Sequence, residues 1–228
     1  MIQYENMVQG KFLRRPNRFI AYVEIDGREE ICHVKNTGRC RELLVPDCTV
    51  WCQKHNDPKR KTKYSVISVQ KGHRCINMDS QVPNKVAAQY IASGGLGFVP
   101  RKLQPEKTYG ASRFDFYLED ADGKPGFVEV KGVTLEREDA AYFPDAPTER
   151  GTRHLTELRQ AAQEGYRSFV LFIVQMEEIS HLQPNRETDP AFAEALSAAA
   201  AAGVEVLAVG CKITPESIKT DAPIPVHL

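Results

Sequence analysis

Two carboxylates and a lysine in this chain, Asp115, Glu129 and Lys131, stand at a spacing that could do chemistry. Asp115 lies in Arg113-Phe-Asp-Phe-Tyr-Leu-Glu119, and the other two lie in Phe127-Val-Glu-Val-Lys131. Side chains alternate along a strand, so Glu129 and Lys131 share a face opposite Val128 and Val130. By the same rule Asp115 points away from Phe114, Phe116 and Leu118. Between the two runs, Asp120-Ala-Asp-Gly-Lys-Pro-Gly126 is turn chemistry. A hairpin register centred on Asp122 sets Asp115 across from Glu129, with Lys131 diagonal to both. Paired carboxylates repel unless a cation or a shifted pKa relieves them. Mg²⁺ or Mn²⁺ suits such oxygen ligands, acidifies water and steadies charge developing on phosphorus. A neighbouring lysine can stabilise the same charge. This is the chemistry of phosphodiester hydrolysis, with Asp115 and Glu129 as metal ligands. The bland alternative is an exposed cross-strand ion cluster of little energetic value. The strongly apolar flanking residues favour a cleft instead.

The surrounding pattern supplies a scaffold. Residues 10–80 read as short strands at Gly10–Arg15, Phe19–Ile25, Glu30–Val34, Thr49–Gln53, Tyr64–Gln70 and Arg74–Met78, punctuated by turn residues. Their number and length suit a small OB-like barrel, with a small sandwich as the alternative. A helix over Pro83–Ser93 follows, with Asn84 a candidate cap and Gly94-Gly95 as its stop. After the hairpin come a helix from Thr148 to Glu164 and the apolar run Ser168–Gln175, expected as a central strand. A helix from Asp189-Pro190 to Gly203 and a strand over Val204–Gly210 close the pattern. Helix, strands, helix, strand matches the core of restriction-endonuclease-like folds. The fold class expected is α+β in two parts: an OB-like β-barrel over residues 1–82 and an α/β PD-(D/E)XK domain over residues 83–228.

Composition agrees with a globular protein and narrows the partners. The 228 residues include 26% charged and 42% apolar types. No apolar run approaches the ~20 residues of a membrane span, and the first ten residues lack a secretory pattern. A cytoplasmic location with no membrane partner is therefore expected, and six cysteines read as free thiols. Cys48 and Cys52 near His33, His55 and His73 have irregular spacing for zinc, so bystander thiols are favoured. The net charge of +0 hides an asymmetry: residues 1–80 carry 15 basic and 9 acidic side chains. A basic front suits phosphates, and an acidic rear suits cations.

Over essentially its whole length the chain resembles the sugar fermentation stimulation protein A family. The matching stretches include Leu13-Arg-Arg-Pro-Asn-Arg-Phe19, His33-Val-Lys-Asn-Thr-Gly38, Asn56-Asp-Pro-Lys-Arg-Lys61, Tyr109-Gly-Ala-Ser-Arg-Phe-Asp-Phe116, Val128-Glu-Val-Lys131 and Arg150-Gly-Thr-Arg-His-Leu155. The resemblance implies DNA binding, with DNA preferred to RNA, an OB-like first domain, a nuclease-like second domain and a role in regulating maltose metabolism. It also draws His154 into the catalytic set, where it would place a phosphate or a water. Gln89 stands where the family pattern has Glu, which puts metal affinity in doubt because an amide is a poorer ligand for a hard cation.

Nucleic-acid contacts are expected from Arg14, Arg15 and Arg18 around one turn, from Arg39, and from Lys59, Arg60, Lys61 and Lys63 in one loop. Arg150, one helical turn from His154, completes the set. A turn over Asn36-Thr37-Gly38-Arg39 could receive a phosphate on its N–H groups. Phe12, Tyr22, Trp51 and Tyr64 could stack bases but read better as core. Gln175 is expected near the site. Two functions from different classes follow: a metal-dependent nuclease, or a non-catalytic nucleic-acid-binding regulator on a nuclease scaffold. An interaction protein with a charged surface cluster is the third reading.

Overall fold

Alternating residues such as Ala21, Val23 and Ile25 pack inward while Glu24 stays in solvent, which curls the first third of the chain onto itself. The computed structural model describes residues 1–36 and 38–228. After a short β1 (Ile2–Gln3) come β2 (Met7–Asn17), β3 (Ile20–Ile25), β4 (Arg28–Val34), β5 (Thr49–Lys54) and β6 (Tyr64–Lys71). Their order is β4-β3-β2-β5-β6, and β6 returns in parallel onto β4. This is a closed five-stranded OB barrel, and closure removes the exposed strand edges. The last strand of this part, β7 (Arg74–Asn77), pairs with β6.

The second part begins with α1 (Val82–Ala92), followed by β8 (Lys102–Tyr109), β9 (Ser112–Glu119) and β10 (Pro125–Val133). Then come β11 (Leu135–Arg137), β12 (Ala140–Phe143), α2 (Glu149–Gln163), β13 (Arg167–Val174) and β14 (His181–Pro184). The chain finishes with α3 (Pro190–Ala201), β15 (Glu205–Thr214) and β16 (Ser217–Ile224). The main sheet runs β1-β16-β15-β13-β10-β9-β8, with β10, β13 and β15 parallel and β9 antiparallel to β10. Phe169, Leu171 and Ile173 of β13 pack with α1, whereas Val170, Phe172 and Val174 pack on the side of α2 and α3. The strand is buried on both faces, as its unbroken apolar run predicts. The helix, strands, helix and strand expected from the sequence are present as α1, β9 and β10, α2 and β13. No helix is long and apolar enough to cross a membrane among the described residues.

Some sequence expectations need correction. Asn84 does not cap α1: the N-cap is Gln81, which makes no side-chain capping bond. The edge strand β8 has no counterpart in the sequence reading. Most of its residues are solvent-exposed and polar and it contains Pro105, so it lacks the apolar alternation that marks a strand. The small sheet β11-β12-β14 also escapes that reading, because its strands are three or four residues long. The six cysteines are free, and no group of three or more His, Cys, Asp or Glu side chains forms a metal site among the described residues.

Barrel and sheet are joined by polar groups with little access to water. Gln175, 1% exposed, donates to the Asn77 and Asp79 carbonyls and to Asn77 Oδ1. Arg74 of β7 reaches Glu136 and Asp139 and donates to the carbonyls of Glu177 and Glu178. Lys71 pairs with the same Glu136 at 2.6 Å. Barrel residues and residues of α2, α3 and β13 also share one contiguous apolar cluster. Replacing Arg74 by Ala strips a buried carboxylate of a partner and should cost about 3–5 kcal/mol. Urea denaturation of Arg74→Ala beside wild type reads this directly; an unchanged midpoint would show that the joint does not depend on Arg74.

Candidate active site

The carboxylate cluster forms where β9 parts from β10. The ladder pairs Phe127 with Tyr117 and Val128 with Phe116, which sets Asp115 next in line to Glu129 as the hairpin spacing predicts. Regular pairing stops there, and Asp115 Oδ2 accepts the Val130 N–H at 2.8 Å in place of a strand carbonyl. The alternation expected around Asp115 fails at this point. Phe116 and Leu118 pack on the α1 side, whereas Phe114 turns to the α2 side against Phe127 and the His154 ring. On the other side of β9, β8 is irregular at the same level, with Glu106 at φ 55. Asp115 Oδ1 accepts from Asn84 Nδ2 of α1 at 2.8 Å.

Glu129 is 3% exposed. Its Oε1 accepts from Lys131 Nζ at 2.6 Å and contacts His154 Nδ1 at 2.6 Å. Arg150 Nε donates to His154 Nε2 at 3.3 Å, so Nε2 accepts and Nδ1 carries the proton given to Glu129. His154, on the second turn of α2, is buried and not the surface histidine that the residue pattern alone suggests. The helix start that sets its height is fixed by Thr148, whose side chain caps Gly151 N, and by Asp189, which accepts the Thr148 N–H and also caps α3.

The two acids titrate in opposite directions. Burial pushes Asp115 above the usual carboxylate range, and the negative charge of Glu129 adds to this against the Val130 and Asn84 hydrogen bonds. Burial would raise Glu129 too, but the His154 bond and the Lys131 charge outweigh it and hold Glu129 low. Glu129 Oε2 is buried and has no hydrogen-bond partner. A bare carboxylate oxygen beside a second carboxylate is a donor set for a hard cation.

The expected nucleic-acid residues divide into groups. Arg14, Arg15, Arg18 and Arg39 line a cleft of about 750 Å³ that also touches Ala146 and Pro147, just before α2. Arg14 is committed to Glu29 through two bonds of 2.7 and 2.8 Å and lies over Tyr22. Arg15 donates to the carbonyls of Arg18, Asn36 and Arg39, which makes it a clip for the turn rather than an open phosphate ligand. Lys59, Arg60, Lys61 and Lys63 are exposed on the β5–β6 loop. Burial, and after it the charges of Arg60 and Lys35, push His33 down. Arg150 is exposed and keeps donors beyond its bond to His154.

The turn expected to receive a phosphate includes Thr37, which lies outside the described residues. Gly38 N donates to Asn36 Oδ1 and Arg39 N to Asp145 Oδ2, so protein groups already take these donors. Phe12 and Tyr64 are buried core, as read from the sequence. Gln175 belongs to the joint. Gln89 is exposed and accepts from the Met1 amino group, so the α1 residue that touches Asp115 is Asn84. Sequence reasoning missed Asn84 and Arg41, although Arg41 stands two residues from Arg39 on the same cleft.

Residues 81–217 match the family model described as the Sugar fermentation stimulation protein RE domain, and residues 13–78 match the SfsA N-terminal OB domain. The chain belongs to the sugar fermentation stimulation protein family. A sugar fermentation stimulation protein homolog of Clostridium beijerinckii is 54% identical over 217 residues, 95% of this chain and 96% of that one. Another from Desulfitobacterium hafniense is 54% identical over 227 residues, covering 100% of this chain and 99% of that one. The solved structure of Pyrococcus furiosus SfsA in complex with Ca²⁺ has a TM-score of 0.88 and 30% identity, covering 100% of this chain and 98% of that one. The family's RE and OB domains thus coincide with the seven-stranded sheet and the barrel.

Gly132, next to Lys131, explains the close seat of α1 on β10. A Cβ there would come 2.6 Å from Pro83 Cγ and 2.6 Å from Gln175 Oε1. Gly132→Ala should therefore push the start of α1 away from the sheet and destabilise the protein by about 1–3 kcal/mol. The urea midpoint tests this, and a neutral result would show that α1 has slack.

Proposed function

We propose that this protein is a divalent-metal-dependent nuclease that hydrolyses phosphodiester bonds of nucleic acid, DNA in preference to RNA. The observation that carries the reading is the buried, unpartnered Oε2 of Glu129 beside Asp115. Asp115 and Glu129 would hold Mg²⁺ or Mn²⁺. The Ca²⁺ complex of the Pyrococcus furiosus relative supports a divalent-cation site in the family. When bound, the cation supplies Lewis-acid activation of water and of a phosphoryl oxygen.

The chain's own groups do the rest. Lys131 spends one N–H on Glu129 and keeps two for a phosphate oxygen or the attacking water. His154 anchors Oε1, which leaves Oε2 turned toward the ligand position. Asn84 orients Asp115 in the same way. Arg150 steadies His154 and offers its outer nitrogens to phosphate. The family's OB domain and the basic residues of the barrel support binding of the strand. A second reading, a regulator that binds without cutting, draws on Gln89 in α1, an amide in place of an acid, and on the absence among the described residues of a metal-holding group of three or more His, Cys, Asp or Glu side chains.

Labelled single- and double-stranded DNA and RNA, incubated with and without Mg²⁺ or Mn²⁺, separate these readings. Cleavage should require metal and fall about 10²-fold or more in Asp115→Ala, Glu129→Ala and Lys131→Ala. Binding without cutting under every metal would instead select the regulator. For His154→Gln, the concentration of metal needed for half-maximal cleavage should rise about 10–100-fold; an unchanged metal requirement would remove His154 from the site.

A further inference from the structure

We propose that the arginine-rimmed cleft between the barrel and the start of α2 takes a single-stranded segment of nucleic acid. This deepens the nuclease reading and rests on it only for what happens beyond the cleft. The rim carries three exposed cations, Arg18, Arg39 and Arg41, whose guanidinium groups donate to no protein group among the described residues. Arg14 and Arg15, already engaged, shape the wall. Phe12, Leu44 and Pro46 supply an apolar floor, and no carboxylate lines the cleft among the described residues. Phosphates on the rim and bases on the floor satisfy both surfaces at once.

Phe19 follows Arg18 in the tight turn between β2 and β3 and is 52% exposed. Its turn is rigid: Asn17 Oδ1 accepts from both Phe19 N and Ile20 N, and the Phe19 carbonyl accepts from Val34 N. A large ring held in water by a fixed turn, directly after the free Arg18 that lines the cleft, is a stacking platform for an unpaired base. A duplex hides its base faces and presents phosphates outward, so it would leave both Phe19 and the apolar floor without partners. The cleft's volume of about 750 Å³ lies in the range of small-molecule sites, ~300–1,000 Å³. It has room for a nucleotide or two but not for the cross-section of a duplex. Its far wall, Ala146 and Pro147, leads onto the first turn of α2 and so toward Arg150, His154 and Glu129.

Fluorescence anisotropy of the full chain in EDTA, where no cutting occurs, tests this with short oligothymidylate, oligouridylate and a duplex DNA of equal length. Single strands should bind at least about tenfold tighter than the duplex. Phe19→Ala should weaken single-strand binding about tenfold and leave duplex binding unchanged, while Phe19→Trp restores it. Arg18→Ala, Arg39→Ala and Arg41→Ala should each reduce the salt dependence of single-strand binding, by about 0.7 in slope for each phosphate no longer neutralised. The thymidylate and uridylate arms separate DNA from RNA. Equal affinity for duplex and single strand, or no effect of Phe19→Ala in a protein with wild-type circular dichroism, would overturn the inference. Either result can coexist with metal-dependent cleavage, which would leave the nuclease proposal standing. Tight single-strand binding without cleavage would support the cleft and count against the nuclease.

Discussion

A carboxylate with almost no access to water sits on a central strand, and much of the second domain is arranged around that fact. Burying a charge is costly unless it is paired and hydrogen-bonded. Glu129 meets this condition with two partners on one oxygen, Lys131 from its own strand and His154 from α2. The second partner sets the position of a whole helix, because α2 must begin where Thr148 and Asp189 fix it for His154 to reach the sheet. The neighbouring strand bends to the same requirement. Asp115 gives up regular pairing, takes a backbone N–H from β10 and receives a donor from α1. Two helices and two strands thus converge on a pair of acids.

The barrel is no loose appendage to this arrangement. Asn77 and Asp79, at its exit, are held by an amide from the end of β13, and Arg74 is tied to acids and carbonyls of the second domain. Apolar packing runs without a break from Val66 in the barrel to Phe172 in the sheet. The asymmetric charge of the sequence therefore falls on the two domains of a single packed body.

Much of this was legible from residue order. The five barrel strands and the register that aligns Asp115 with Glu129 follow from period-two alternation and turn residues, and the double-sided strand β13 from its unbroken apolar run. The family resemblance pointed to His154, but its burial against Glu129 depends on where α2 docks, which no local pattern encodes. Asn84 looked like a cap because asparagine favours that position, whereas tertiary contact turned it toward Asp115. Strand β8 escaped notice because an edge strand with one face in water carries charges and a proline, the composition of a loop. The flip between Phe114 and Phe116 could not be foreseen from alternation, since it arises where alternation gives way.

The shared core has a consequence for geometry. A joint packed on both apolar and polar groups leaves little room for a hinge, so the distance from the barrel's arginines to the acids of the sheet is set by the fold and not by domain motion. On the proposed reading, a strand gripped at one end would always present the same phosphate at the other, and the molecule would work as a ruler and not as a pair of jaws. Product lengths counted from the gripped end would then cluster around one value.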